Sequence, residues 1–133
     1  MTQHVPCAGA IVFDAAGRLL LVRRAHDPGA GMWSVPGGRC RPRESAPEAC
    51  VREVAEETGL VVDVLRSAGR VERDGPPGTV YDIDDYVCVV VGGTAVAGDD
   101  AAELRWVTAA EFATLDLVAG LHDTLAEWDC LPR

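Results

Sequence analysis

The apolar positions of the chain fall mostly in short runs with strand character, punctuated by Gly, Pro and Asp. "CAGAIVF" (7–13) and "RLLLVRR" (18–24) are joined by "DAAG", a turn with Asp at its start and Gly at its end, and the pair predicts a β-hairpin. "HDPGAG" reads as a loop, "WSV" as a short strand entering "PGG", and "LVVDVLRSAGRVERD" as strand up to the break at "GPPG". "VYDIDDYVCVVV" (80–91), ended by Gly92 and Gly93, is the next strand, followed by the short "AELRWV". "TAAEF" opens a helix under a capping box of Thr108 and Glu111, and "LVAGLHDTLAEW" has the apolar spacing of a closing helix. Without an internal repeat or linker, these elements predict one α/β sandwich around a mixed β-sheet.

One segment departs from the strand pattern. Ser45 and Glu48 form an S-x-x-E capping box, Pro47 lies in the first turn, and Gly59 stands where a left-handed C-cap is wanted, so the spacing predicts a helix from about Ala46 to Thr58. At ~100° per residue, Cys50, Val51, Val54 and Ala55 share one face, and Glu53, Glu56 and Glu57 share another with the small Ala46 and Ala49. Glu53 with Glu56, and Glu53 with Glu57, are like-charge pairs that each cost a helix roughly 0.2 to 0.5 kcal/mol. A hard divalent cation reverses that sign, because Mg²⁺ takes carboxylate oxygens while keeping waters and substrate phosphate in its shell. The alternative is an ordinary solvated acidic face.

Composition narrows the field. At 133 residues the chain is one domain by size, and its 48% hydrophobic and 25% charged residues are those of a globular protein. No apolar run nears the ~20 residues of a membrane span, and the N-terminus lacks a secretory pattern, so a soluble cytoplasmic protein without membrane contact is expected. The five cysteines show no metal or disulfide spacing and read as small core residues. A net charge of −9 argues against a nucleic-acid polymer as partner. From Arg18 to Arg43, however, six arginines stand against Asp27 alone, a stretch able to steer a small anion.

From Gly38 onward the sequence matches, at every constrained position, the pattern G-x5-E-x7-R-E-U-x-E-E-x-G-U, where U is aliphatic: Gly38, Glu44, Arg52, Glu53, Val54, Glu56, Glu57, Gly59 and Leu60. In this it resembles the Nudix hydrolases, and "WSVPGG" is similar to the strand and turn that precede the family's box. The resemblance implies a single Nudix domain over 1–133 with its box at 38–60, folded as an α/β/α sandwich (α+β in type) with a mixed β-sheet. It implies Mg²⁺, with Mn²⁺ as a substitute, held by Glu53, Glu56 and Glu57 with help from the Gly37 carbonyl. Arg52 would orient the carboxylates, since a guanidinium fork suits two-point contact. Glu44 would serve either as a structural cap or as a further ligand, and Gly37 and Gly38 would allow the loop backbone to come close to phosphate or metal.

The family's reaction is attack of water on the pyrophosphate of a nucleoside diphosphate linked to another moiety. Bound metal neutralises the phosphate oxygens and lowers the pKa of a bound water, and a carboxylate takes the remaining proton. For that base, Glu53 or Glu56 competes with Asp99, Asp100 and Glu103 of "AGDDAAELRWV". Arg23, Arg24 and Arg39 are candidates for phosphate or nucleotide contacts, and Phe13, Tyr81 and Tyr86 for stacking on a base. The substrate stays open between nucleoside triphosphates, as in MutT-like members, and ADP-ribose, for which Pro76 is a family hint that a "GPPG" turn also explains. The alternatives are a catalytically silent nucleotide sensor and an isoprenoid diphosphate isomerase-like enzyme. Monomer and homodimer are equally compatible with the sequence.

Overall fold

The computed structural model describes every residue of the chain except Pro28 and Asp99. Among the described residues, seven strands and three helices follow the order β1 (Gln3–Val12), β2 (Leu19–Arg24), β3 (Trp33–Ser34), β4 (Gly37–Arg39), α1 (Ala46–Thr58), β5 (Leu60–Asp74), β6 (Thr79–Gly93), β7 (Ala101–Val107), α2 (Ala109–Phe112) and α3 (Leu121–Glu127). They build a mixed four-stranded sheet, β4-β1-β6-β5, and a three-stranded sheet, β3-β2-β7. Within the mixed sheet, β1 runs parallel to β6, while β4 and β5 are antiparallel to their neighbours.

The β1–β2 hairpin of the sequence reading forms only its turn. Asp14 Oδ1 accepts the N–H groups of Ala16 and Arg18 at 3.0 and 2.9 Å, and Phe13 bridges Leu19. Beyond that bridge the strands part into different sheets. The reason is burial on both sides: in β1, Ala8, Ala10 and Val12 pack with α1 residues Ala49, Cys50 and Val54, while Ile11 joins Trp33, Phe112, Leu121 and Leu125 in a second cluster. In β2, Leu20 belongs to the first cluster and Leu19 and Leu21 to the second. A strand buried on both faces has no solvated side and reads as a continuous apolar run. The two cores, with helices on either side of the sheets, make the expected α/β/α sandwich.

Helix α1 has the predicted bounds. Ser45 Oγ accepts the Glu48 N–H, Glu48 closes the box on the Ser45 N–H, and Gly59 ends the helix at φ +73°. Its faces need one correction: Ala49 is fully buried beside Cys50, Val54 and Thr58, whereas Ala55 is exposed. Ala49 therefore lets β1 and the helix close together and opens no space on the acidic side. The last helix is also shorter than its apolar spacing implied. Leu117 makes a bridge to Trp33, and the helix begins only after Gly120, at φ +81°. The strand β4 passes unseen in the sequence, since "GGR" has no strand propensity and is held by pairing with β1. All five cysteines are free, and four are buried. Among the described residues no helix is long and apolar enough to cross a membrane.

Candidate active site

The acidic face of α1 lies against β4. A side chain on Gly38 would reach within 2.7 Å of the Glu53 carboxyl carbon, so the absent Cβ is what lets Glu53 lie along the loop. One residue earlier, the Gly37 N–H donates to Glu57 Oε2 at 2.8 Å. Two adjacent backbone positions thus seat two of the box glutamates.

Arg52 organises the others. Its Nε donates to Glu44 Oε2 at 2.7 Å and its Nη2 to Glu44 Oε1 at 2.8 Å, a two-point pair. Nη1 reaches Glu53 Oε1 at 2.8 Å and Glu56 Oε2 at 3.0 Å, and Nη2 also donates to the Arg39 carbonyl at 3.0 Å. Every N–H of the guanidinium therefore has an acceptor. Arg41 adds a second cation on Glu56 at 3.0 Å, and its backbone N–H donates to Glu44. Glu44 is both loop brace and Arg52 partner, and these bonds hold its carboxyl at about 2, with the Arg52 side chain the largest cause. The same partners, Glu44 first, raise the pKa of Arg52.

Glu57 is in the opposite situation. Its carboxyl is pushed up to about 8, chiefly by burial; Glu53 and Asp100 add to the rise, and the Gly37 N–H and Arg24 oppose it. Burial outweighs the positive charge that Arg24 brings to this carboxylate. Among the described residues, the set whose ligand atoms all lie within 4.8 Å of one another is His4, Glu72 and Asp82, where Asp82 already pairs with His4 at 3.1 Å and Arg70 at 3.5 Å. The box carboxylates are instead turned toward Arg52, Arg41 and the Gly37 N–H. Their donor set is nonetheless hard oxygen throughout, with a desolvated, under-compensated Glu57 at its centre, which suits Mg²⁺ or Mn²⁺.

Glu53 and Glu57 open onto a cleft of about 300 Å³ between the two sheets, shared with Gly37, Gly38, Arg24, Arg39 and Asp100. The pairing of Arg24 with Ala101 brings Asp100 to this wall, and Glu103 falls opposite Arg23 instead. Glu103 is engaged by Arg23 at 3.5 Å and Arg105 at 3.2 Å and does not line the cleft; Asp99 lies outside the described residues. Of the three candidate arginines, Arg24 and Arg39 are on the cleft and Arg23 is not. Of the aromatics, Phe13 and Tyr86 pack against the hydrophobic clusters, and Tyr81 lies under the Arg39 guanidinium, 5.4 Å from its ring centre. Pro76 belongs to the turn closing β5 onto β6, its carbonyl accepting the Thr79 N–H at 2.9 Å. Sequence reasoning missed Val22, His26 and Ser34, which complete the cleft lining. Nothing in their spacing marks them, because β2, the following loop and β3 meet there only in the folded sheet.

With this geometry in place, residues 3–128 match the NUDIX domain, and the chain belongs to the Nudix hydrolase family. It is 38% identical over 98 residues to the ADP-ribose pyrophosphatase of Methanocaldococcus jannaschii, covering 71% of this chain and 57% of that protein. It is 37% identical over 128 residues to the putative 8-oxo-dGTP diphosphatase 2 of Mycobacterium tuberculosis, covering 96% of this chain and 89% of the relative. The crystal structure of the MutT protein from Methanosarcina mazei superposes with a TM-score of 0.80 at 26% identity, over 96% of this chain and 94% of that one. The chain thus spans little more than half of the archaeal pyrophosphatase and nearly all of the mycobacterial relative.

Proposed function

We propose that this domain is a divalent-metal-dependent pyrophosphohydrolase that cleaves the pyrophosphate of a nucleoside diphosphate linked to another group, nucleoside triphosphates and ADP-ribose being the substrates its relatives' names suggest. The observation that carries the reading is the Arg52 fork. One half-buried guanidinium holds Glu44, Glu53 and Glu56 in fixed positions, while Glu57, held by the Gly37 N–H, faces the cleft beside Glu53. That is a preorganised anionic site built at the cost of like-charge repulsion.

Glu53, Glu56 and Glu57 would hold Mg²⁺ or Mn²⁺, with the Gly37 carbonyl as a further oxygen. When bound, the metal neutralises pyrophosphate oxygens and makes hydroxide available near neutral pH. The chain's own residues do the rest. Arg52 fixes the directions of the glutamate oxygens, and the Gly37 N–H keeps Glu57 at the loop. Arg24 and Arg39 supply positive charge on the wall where phosphate enters. A carboxylate on that wall accepts the proton of the attacking water, for which Glu53 and Asp100 are the two best placed. Glu103, tied to two arginines, is the weakest of the earlier candidates.

The test is hydrolysis of a panel of nucleoside triphosphates and ADP-ribose with and without Mg²⁺, for the wild type and for Glu53→Gln, Glu56→Gln and Asp100→Asn. The glutamate variants are expected to lose roughly a hundredfold or more in turnover, the scale of removing a preorganised charged group. Near-normal rates in both at saturating Mg²⁺ would sink the metal-site reading. Ligand binding without product from any member of the panel would favour a sensor.

A further inference from the structure

A second group of ligand atoms lies outside the cleft, toward the start of β1. His4 on β1, Asp82 on β6 and Glu72 on β5 each offer one such atom, and the three atoms lie within 4.8 Å of one another. The register explains why they meet. Pro6 and Glu72 stand opposite Asp82 on its two sides, and His4 is the neighbour of Pro6 on the same face of β1. Three side chains from three adjacent strands thus converge, although 78 positions separate His4 from Asp82. Their face is that of Ala8, Tyr86 and Cys88, which pack with α1. The residues of β1 in that cluster begin only at Ala8, and His4 and Pro6 are exposed, so the helix leaves this end of the sheet open.

The electrostatics of this face favour a cation. Like charges directly opposite each other destabilise a sheet, and Glu72 is directly opposite Asp82. Asp74 and Asp84 extend the same face, so four carboxylates stand there with Arg70 and His4. Arg70 reaches Asp82 at 3.5 Å from a side chain 62% exposed, longer than the ~2.7 to 2.9 Å of a charge-assisted hydrogen bond, so it is a neighbour of Asp82 and not a fixed partner. Asp82 forms the floor of the group at 14% exposure, and His4 and Glu72 are open to solvent above it. The spacing also fits an ion. Ligands about 2.0 to 2.2 Å from a tetrahedral Zn²⁺ lie about 3.3 Å from one another. His4 Nδ1 is already 3.1 Å from either Asp82 oxygen, and the exposed Glu72 side chain needs only a rotamer change to complete the triangle. An imidazole among the ligands selects a first-row ion of the zinc type over Mg²⁺ or Ca²⁺.

We propose that His4, Glu72 and Asp82 form a second metal site, separate from the box glutamates, that takes a divalent ion of the zinc type with water in its remaining position. Its effect is structural. Strand β4 pairs with β1 only from Cys7 to Gly9, so Gln3, His4 and Val5 have a strand on one side alone. Ligation ties this run to β6 and, across it, to β5, the edge of the sheet. The two sites divide the metals by donor type: oxygen alone at the box, oxygen with an imidazole nitrogen here.

Calorimetric titration of the full chain with Zn²⁺ tests it, with saturating Mg²⁺ present to occupy the box carboxylates. The wild type is expected to bind a single equivalent, to melt several degrees higher with Zn²⁺ than without, and to show shifted imidazole NMR signals for His4 alone among its three histidines. His4→Gln and Asp82→Asn should each weaken Zn²⁺ by at least the ten- to hundredfold that removing even a partner of a ligand costs, roughly speaking, at a metal site. Each variant is compared with itself, with and without Zn²⁺, so a general loss of stability does not imitate the result. His4→Gln changes only an exposed side chain and carries the test if Asp82→Asn does not fold. Glu53→Gln should leave Zn²⁺ binding unchanged. Absence of Zn²⁺ uptake by the wild type would overturn the proposal and leave these residues a solvated, charged sheet edge of the kind that discourages edge pairing. Uptake kept in His4→Gln but lost in Glu53→Gln would overturn it too, since Zn²⁺ would then be entering the box, as would shifts at His26 or His122 in place of His4.

Discussion

Replacing Glu57 by Gln tests the electrostatics of the site without touching its shape. The amide is isosteric and still accepts the Gly37 N–H that holds Oε2 at 2.8 Å. What changes is the charge. The folded carboxyl titrates at about 8 against an ordinary value of 4.5, mainly through burial. Between those values the folded protein binds a proton that the unfolded chain has released, so stability falls as pH rises, by at most about 1.4 kcal/mol per pH unit. Over pH 5 to 8 the upper bound is on the order of 4 kcal/mol, and screening at the cleft mouth brings the expectation to about 2 to 3 kcal/mol. Urea melts with chelator present, from pH 5 to 8.5, measure it as the difference between variant and wild type. Other titrating groups, Asp85 among them, cancel in that difference. The two proteins should be equally stable near pH 5, with the Gln variant ahead by that amount at pH 8.5. Mg²⁺ should close the gap by stabilising the wild type, and the variant should lose activity even as it gains stability. Parallel pH profiles for the two proteins would refute the reasoning, because Glu57 would then titrate alike folded and unfolded.

Other outcomes follow from the same contacts. Arg52→Lys keeps a cation but replaces a planar five-donor fork by a point charge with three donors, so the glutamates lose their common brace. Activity should fall roughly ten- to hundredfold, with a higher Mg²⁺ concentration needed for half-maximal rate, the size of effect typical of groups that orient ligands. An unchanged Mg²⁺ midpoint would argue that Arg52 is only structural. Gly38→Ala places a methyl group 2.7 Å from the Glu53 carboxyl carbon. Glu53 must move, and turnover should drop roughly tenfold or more, as for a misplaced reacting geometry, whereas the thermal midpoint barely changes. Steady-state kinetics beside a melting curve separates the two effects.

Local signals in the chain carried a large part of this protein. The bounds of α1 were legible because its capping box, early proline and C-terminal glycine act within one turn of the backbone they satisfy. The acidic crowding of Glu53, Glu56 and Glu57 was legible because helix periodicity alone sets those neighbours. The turn at Asp14 was legible too, but its strands were wrongly paired. Whether β1 binds β2 or β6 depends on which residues elsewhere bury its two apolar faces, and no local spacing encodes that. Folding likewise decided which loop carboxylate reaches the cleft, since the Arg24–Ala101 register brings in Asp100 and turns Glu103 to Arg23. Asp85 shows the division most clearly. In the sequence it is one aspartate of "DIDDY", and only the register sets Gly9 beside it, so that its Oδ1 lies buried over that glycine without a donor among the described residues. Short-range hydrogen bonds and periodicity determined the acidic helix; long-range strand pairing, which joins residues 76 positions apart in β1 and β6, decided what surrounds it.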